Sequence, residues 1–386
     1  MSLLTRKRSI LAKIESSYGV DPTPTGGANA ILVKSLNINP MEATLVGRDN
    51  IKPYLGNNEE ILAAVYNKVD FEVEIAGSGT AGVAPAYGPL LRACGMSELI
   101  LATAHTDTAQ AGSTTSITLA TTGSASNNAY QGMTITIASG TGSGQSGIIQ
   151  SYVGSTKVAT MTAAWTTPPD ATSVYAIAAQ VVYQPVSSGF ESNTMYFNQD
   201  GVLHKLLGAR GTVSFSLPLM GIPMMKFAFT GLYVAVADGT APTVTLSAFK
   251  TPLAVNNQNT GALNVMGYAG AVMSDFSFDL ANTVVFRSLV GGSESITITE
   301  RKPAGSISQE ATTVAAKDWW ASIKAVTTGA FSVTHGTSAG NKVKFDAPKM
   351  QLTKPAYQDK DGISMLQTSA NFIPVLGNDE LYLSVQ

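Results

Sequence analysis

The chain has 386 residues with 24 Lys+Arg and 26 Asp+Glu. It is 44% hydrophobic but only 13% charged, about half of the roughly 25% usual for soluble domains. Such a composition supports sizeable cores and excludes wholesale disorder, and the length predicts two to three domains. A net charge of −2 excludes a basic nucleic-acid-binding surface, and Cys94, the single cysteine, excludes an intramolecular disulfide or a thiolate metal cluster. The three histidines, His105, His204 and His335, are too scattered for an HExxH-type zinc site.

Residues 1–29 read as an N-terminal arm. A basic start with Arg6, Lys7 and Arg8 leads into Asp21-Pro22-Thr23-Pro24-Thr25-Gly26-Gly27, where two prolines and two glycines oppose regular structure. The apolar pieces after Arg8 are too short for a secretory signal, and no apolar run reaches the roughly 18 residues of a membrane span. The expectation is a soluble protein not exported by that route. From Ala30 the text becomes strand-like, with a polar stretch from Asn39 to Asn58. Phe71-Glu72-Val73-Glu74-Ile75 then alternates apolar and charged residues, which predicts an antiparallel strand with one face buried. A helix is predicted over APAYGPLLRACGM, opened by Pro85 and closed by Gly95.

Residues 105–183 differ in character. Between Thr106 and Val182 the only charges are Asp107, Lys157 and Asp170, and TSITLA, MTITIAS, SGIIQSYV, KVATMT and SVYAIAA read as strands separated by turns. This is an inserted all-β module. Residues 184–237 return to the first domain, with strand patterns resuming at Thr194 and a hairpin turn at Asn198-Gln199-Asp200-Gly201, and residues 238–262 read as a linker. Residues 263–386 repeat the order of 30–104 plus 184–237. MSDFSFDL answers ILVKSLNI, Gly305–Glu310 answers Phe71–Ile75, and a helix over Ala315–Lys324 answers the first one, so a diverged tandem duplication is inferred.

Motifs that suggest chemistry have simpler readings. Gly77-Ser78-Gly79-Thr80-Ala81-Gly82 is a literal GxGxxG, but the strand before it is charged on alternate residues and no βαβ unit follows, so a flexible loop is predicted. Gly142–Gly147 matches the same pattern between two strands, with no helix to hold a phosphate. Gly336-Thr337-Ser338-Ala339-Gly340 matches GxSxG beside His335, but strand text on both sides places Ser338 at a hairpin tip. Asp359-Lys360-Asp361-Gly362 lacks the remaining ligands of a calcium loop. Trp319 and Trp320, about 100° apart on a helix, predict that at least one packs in the core. The paired carboxylates Glu59 and Glu60, Glu72 and Glu74, and Asp359 and Asp361 read as hydrated surface. No catalytic, cofactor-binding or metal residue is assigned.

Several stretches together resemble the major tail tube protein of long-tailed, non-contractile bacteriophages. They are RKRSILAKIESSYGVDPTPTGGANAILV, IAGSGTAGVAPAYGPLLRACG, DGVLHKLLGARGTVSFSL, FTGLYV, LSAFKTPLAVNN, ERKPAGSI, THGTSAGN and GNDELYL. The stretch AYQGMTITIASGTGSGQSGIIQSY is similar to a small β module found within various phage structural proteins. The resemblance implies a mainly β fold of tandem β-sandwich or barrel domains, each with one packed helix. It implies a non-enzymatic virion protein, assembled in the host cytoplasm, whose rings stack into a tube that conducts DNA. Two tube domains per chain imply trimeric rings with pseudo-sixfold symmetry, with hexameric rings as the alternative. Implied partners are further copies of the chain and the tail terminator, tape measure and distal tail proteins. DNA would pass through the lumen without specific binding, and no membrane is involved. Candidates for contact between rings are Arg6, Lys7 and Arg8, then Arg48, Asp49, Tyr54 and Leu55, and in the second repeat Phe286, Arg287 and Leu289. The inserted module is expected on the tube exterior. Other readings are a decoration or baseplate-hub protein, an adhesin acting through the insert, or a nucleotide- or serine-dependent enzyme.

Overall fold

The alternation of Phe71–Ile75 belongs to a strand of 14 residues, and strands of this kind dominate the fold in a computed structural model that describes residues 2–386. The N-terminal part contains β1 (Arg8–Ile14), a single turn α1 (Gly26–Asn29), β2 (Ala30–Ile31), β3 (Lys34–Val46), β4 (Ile61–Glu74), α2 (Gly88–Ala93) and β5 (Met96–Leu101). A module follows: β6 (His105–Thr108), β7 (Ala111–Gly112), β8 (Ser116–Thr118), β9 (Thr134–Ser139), β10 (Ser146–Val153), β11 (Val158–Met161) and β12 (Val174–Ile177). The chain then forms β13 (Gln180–Pro185), β14 (Asn193–Gln199), β15 (Val202–Pro218), β16 (Met224–Tyr233) and β17 (Ala237–Asp238). The C-terminal part has β18 (Thr260–Val265), β19 (Met273–Asp279), β20 (Asn282–Leu289), β21 (Ser293–Arg301), β22 (Ala304–Glu310), α3 (Trp319–Lys324), β23 (Thr328–His335), β24 (Val343–Lys360), β25 (Ile363–Phe372) and β26 (Tyr382–Val385).

Two sets of six strands share one antiparallel order. The first runs β1–β14–β15–β16–β4–β3 and the second β18–β23–β24–β25–β22–β19. In each set one long strand, β15 or β24, pairs with different neighbours at its two ends. The sets join edge to edge where Ser214–Pro218 of β15 pair with Asp279–Asp275 of β19. This makes a continuous sheet, β3–β4–β16–β15–β19–β22–β25–β24. Away from that junction, β26 is inserted between β13 and the start of β24 and hydrogen-bonds to both.

Burial explains why these segments are strands. On β4 the residues Val69, Phe71 and Val73 enter the core while Asp70, Glu72 and Glu74 stay at the surface, and Phe71 packs against Phe227 and Phe229 of β16. In the second set Phe276, Phe331, Phe345 and Phe372 cluster, and Phe215 of β15 reaches Phe278 and Phe345 across the junction. One core therefore runs through both sets.

The module forms its own sheet, β6–β12–β9–β10–β11–β8–β7, around a separate core that includes Ile117, Ile135, Ile149, Tyr152 and Tyr175. Tyr382 of β26 and Val182 of β13 belong to that second core, with Tyr382 wholly buried against Gly132. Beside this seam Lys344 pairs with buried Asp346 at 2.9 Å and donates to Thr134 Oγ1 of the module at 3.2 Å. Burial holds the Asp346 carboxyl above its ordinary range.

Several local expectations need correction. The N-terminal segment is not irregular throughout, since Arg8–Ile14 is a strand paired over its whole length with β14. Buried Glu15 fixes the following turn by accepting hydrogen bonds from Ser192 Oγ (2.6 Å), Thr194 Oγ1 (2.7 Å) and the amides of Gly19 (2.7 Å) and Gly208 (2.8 Å). The polar stretch from Asn39 does not begin a loop, because β3 continues to Val46 and the loop is 47–60. Both helices are shorter than predicted. The carbonyl of Pro85 closes a turn ahead of α2, and α3 starts only after Asp318, which caps it by accepting from the Ala321 amide at 2.8 Å. Trp319 is buried and donates to Thr312 Oγ1 at 2.9 Å, whereas Trp320 lies outside against Tyr357.

Candidate assembly interface

Two of the motifs that suggested chemistry meet each other. The Gly77–Gly82 loop lies against the hairpin tip after β23: the Gly79 amide donates to the Gly340 carbonyl at 2.9 Å, and the Gly77 amide donates to Asn341 Oδ1 at 3.2 Å. Both strands of chain are glycine where they touch because a Cβ on Gly340 would lie 2.5 Å from the Gly79 carbonyl carbon, and Gly340 has φ +85°. His335 is buried, with Nδ1 2.8 Å from Thr260 Oγ1 and Nε2 3.1 Å from the Leu253 carbonyl. Both ring nitrogens are engaged, while Ser338 is exposed at the tip. Burial holds the His335 imidazole below its ordinary value and so neutral. Among the described residues no group of three or more His, Cys, Asp or Glu could hold a metal, and no helix is long and apolar enough to cross a membrane.

The surface residues singled out from sequence fall in three places. The basic start is clasped to its own chain. Lys7 pairs with Asp200 at 3.6 Å, the Leu4 amide donates to the same carboxylate at 2.7 Å, and Arg8 Nη1 donates to the Leu36 carbonyl at 2.6 Å; Arg6 is exposed. Arg48, Asp49, Tyr54 and Leu55 lie on the loop that closes the β3–β4 hairpin. Arg48 pairs with Glu59 across its base, Lys52 stands over the Tyr54 ring, and Ile51 and Leu55 are fully exposed. The third group is on the β20–β21 hairpin. Its tip, Leu289-Val290-Gly291-Gly292, is exposed, and the adjacent Arg287 is exposed too. Phe286 instead turns inward and stacks on Tyr66 of β4 with ring centroids 4.9 Å apart.

That stack belongs to a larger contact the sequence did not reveal. The β20–β21 hairpin folds back over the first strand set. Arg210 Nη1 donates to the Ile296 carbonyl at 2.8 Å and its guanidinium lies 4.8 Å from the Tyr18 ring, while Tyr18 Oη accepts from the Ile296 amide at 2.5 Å. The β3–β4 hairpin has no such partner. Its stalk exposes Met41, Leu45, Val46, Ile61 and Leu62, each about half accessible. Consecutive apolar text such as Ile61-Leu62 normally signals core, so its exposure here is visible only in the structure.

Two bare strand edges stand out by their place in the sets. β3 pairs only with β4, and β24 pairs only with β25 from Leu352 to Lys360, on the side that β23 has left. By position in the two sets, β3 corresponds to β19 and β24 to β15, the two strands that pair with each other inside the chain. Both bare edges are irregular. β3 shifts register between Lys34 and Asn37 with Ser35 at φ +54°, and β24 shifts between Thr353 and Ala356 with Lys354 at φ +49° before Pro355.

Comparison with known proteins gives one result that fits this arrangement. No curated protein matches the chain. A family model described as phage tail tube protein matches residues 158–374, more than half of the chain, from within the inserted module to just beyond β25. This mainly β chain of paired strand sets, with unpaired strand edges and exposed hairpins, belongs to the phage tail tube protein family, a structural component of the virion tail.

Proposed function

We propose that this chain is the self-assembling tail tube subunit of a long-tailed, non-contractile phage, with three copies per ring and stacked rings forming the conduit for DNA during ejection. The observation that carries the proposal is the β15–β19 junction. One chain holds two equivalent strand sets, one junction between them, and one donor edge (β3) and one acceptor edge (β24) left over. Pairing β3 of each chain with β24 of the next, as β19 pairs with β15, satisfies both of these edges in every chain only when the ring closes. Three chains then give six equivalent sectors. In this reading residues 30–104 with 184–237 form one tube domain and 263–386 the other. Residues 105–183 are an insertion, 238–262 a linker and 1–29 a segment docked on the first domain.

The polar face of the eight-stranded sheet would line the lumen. It carries Asp70, Glu72, Glu74, Asp275 and Asp279 against Lys68 and Lys226, among serines such as Ser214, Ser216, Ser277, Ser306 and Ser369. An acidic, hydroxyl-rich wall repels phosphates and so lets DNA pass without being held. The module between β5 and β13 is attached to strands outside that sheet, which supports its position on the tube exterior. The exposed loop 47–60 and the tip 289–292 are the candidates for contact between rings, with the terminator, tape measure and distal tail proteins engaged at the ends and lumen of the tube.

Electron microscopy and native mass spectrometry of the purified protein test this reading. The expected result is stacked rings with an axial hole and three chains per ring. Rings of six chains would refute the trimer, and a monodisperse monomer at high concentration would refute self-assembly.

A further inference from the structure

The two short helices end in the same turn but not with the same residue. In α2 the Cys94 amide donates to the Leu90 carbonyl and the Gly95 amide to Arg92; in α3 the Ala325 amide donates to Ala321 and the Val326 amide to Ile323. Gly95 has φ +76°, as expected where a helix stops in the left-handed region. Val326 occupies the equivalent position at φ +57°, a conformation that disfavours a β-branched residue. The Thr327 amide closes the turn on the Ser322 carbonyl at 2.9 Å, but Val326 itself is 61% exposed, so its side chain gains little apolar burial in the single subunit.

The surroundings of the two turns differ in one respect. A Cβ on Gly95 would lie 3.3 Å from Ile298 Cδ1 and 3.2 Å from Phe190, and Asn282 Nδ2 donates to the Cys94 carbonyl at 2.6 Å. The β20–β21 hairpin, which continues β19 and β22, thus covers the end of α2. Among the described residues no hairpin covers Val326 at the end of α3, which stays exposed. The corresponding continuation of β3 and β4 is the stalk with Leu45, Val46, Ile61 and Leu62 exposed, followed by the small Ala63 and Ala64.

We infer that Val326 is a contact between protomers: the stalk of one chain's β3–β4 hairpin packs on the C-terminal turn of the neighbouring chain's α3, with Leu62, Ala63 and Ala64 around Val326. This rests on the ring closure proposed above, since docking β3 on a neighbour's β24 as β19 docks on β15 carries the stalk over α3 as the β20–β21 hairpin lies over α2. Bulk is exchanged across the two versions of the contact. Inside the chain a glycine meets isoleucine, and between chains a valine meets alanines. The backbone strain at Val326 is offset by apolar area that is buried only in the ring.

Val326→Gly separates the two roles of the residue. The isolated subunit is expected to melt at an unchanged or higher temperature, while the concentration needed for ring formation rises about tenfold or more. Leu62→Cys combined with Val326→Cys places a reactive pair across the contact, Cys94 being buried. A short bis-maleimide added to assembled rings is expected to give products that end at the covalent trimer. A ladder extending past the trimer would place the contact between rings and overturn the inference. So would wild-type assembly by Val326→Gly together with no cross-link, although the ring reading would then stand. Failure of the wild-type chain to form rings would instead overturn the reading on which the inference rests.

Discussion

Tyr382→Ala addresses how the inserted module is held. The ring is wholly buried in the module's core although the residue belongs to β26, and it lies so close to Gly132 that a Cβ there would be 2.5 Å from Tyr382 Cδ1. Removing a buried aromatic ring costs about 3–5 kcal/mol where the site cannot collapse, and a seam between two cores is such a site. If the chain unfolds as one unit, an unfolding entropy of about 2.1 cal/mol/K per residue converts this loss to a drop of about 4–6 °C. If the module of roughly 80 residues melts by itself, the same loss lowers its transition by about 20–30 °C. Differential scanning calorimetry distinguishes these cases, and limited proteolysis between residues 105 and 183 reports whether the module has loosened. Tyr382→Phe keeps the ring, and is expected to stay within about 1 kcal/mol of wild type because the hydroxyl has no hydrogen-bond partner. A Tyr382→Ala chain that melts within 1 °C of wild type, with unaltered proteolysis, would refute the seam as an energetic link.

Other substitutions probe the motifs and the buried histidine. Gly340→Ala combines a left-handed backbone with a clash against the Gly79 carbonyl carbon, so a loss of about 2–4 kcal/mol is expected in chemical denaturation. Exposed Ser338 should tolerate alanine within about 0.5 kcal/mol and with unchanged ring assembly; loss of an activity in Ser338→Ala would revive the hydrolase reading. His335 is held neutral in the fold, so its contribution to stability is present above its ordinary value of 6.5 and is lost as the pH falls below that value. Melting temperature should therefore decline from pH 7 towards pH 5, and His335→Gln should flatten the decline. The decline should not vanish, because burial shifts His105 and His204 in the same direction.

Features set by neighbours along the chain were legible in the sequence. Phe71–Ile75, the Asp200-Gly201 turn and the near absence of charge in residues 105–183 each carry a local pattern, and each corresponds to an element or module. Helix lengths were overestimated because Ala315-Ala316 has high helical propensity but lies in a turn, held ahead of the Asp318 cap. Contacts over long separations left no local trace. Nothing in Leu381-Tyr382-Leu383 indicates that it joins β13 and β24 while filling the module's core, and nothing in GxGxxG indicates that its partner is another glycine loop some 260 residues on. The exposed apolar stalk was hidden for a different reason. Ile61 and Leu62 look like core residues, and within a single subunit only their exposure distinguishes them.

The irregular edge of β24 has a consequence for the subunit before it meets a partner. A straight bare strand would accept any extended polypeptide, including a misfolded chain or the wrong strand of a second copy. Lys354 in the left-handed region and Pro355, which has no amide hydrogen, interrupt the ladder that such a strand would need. The bare edge of β3 carries its own interruption at Ser35. An irregular backbone at each edge therefore works against indiscriminate pairing of the free subunit with extended chains, while leaving the edge open to a strand of matching shape.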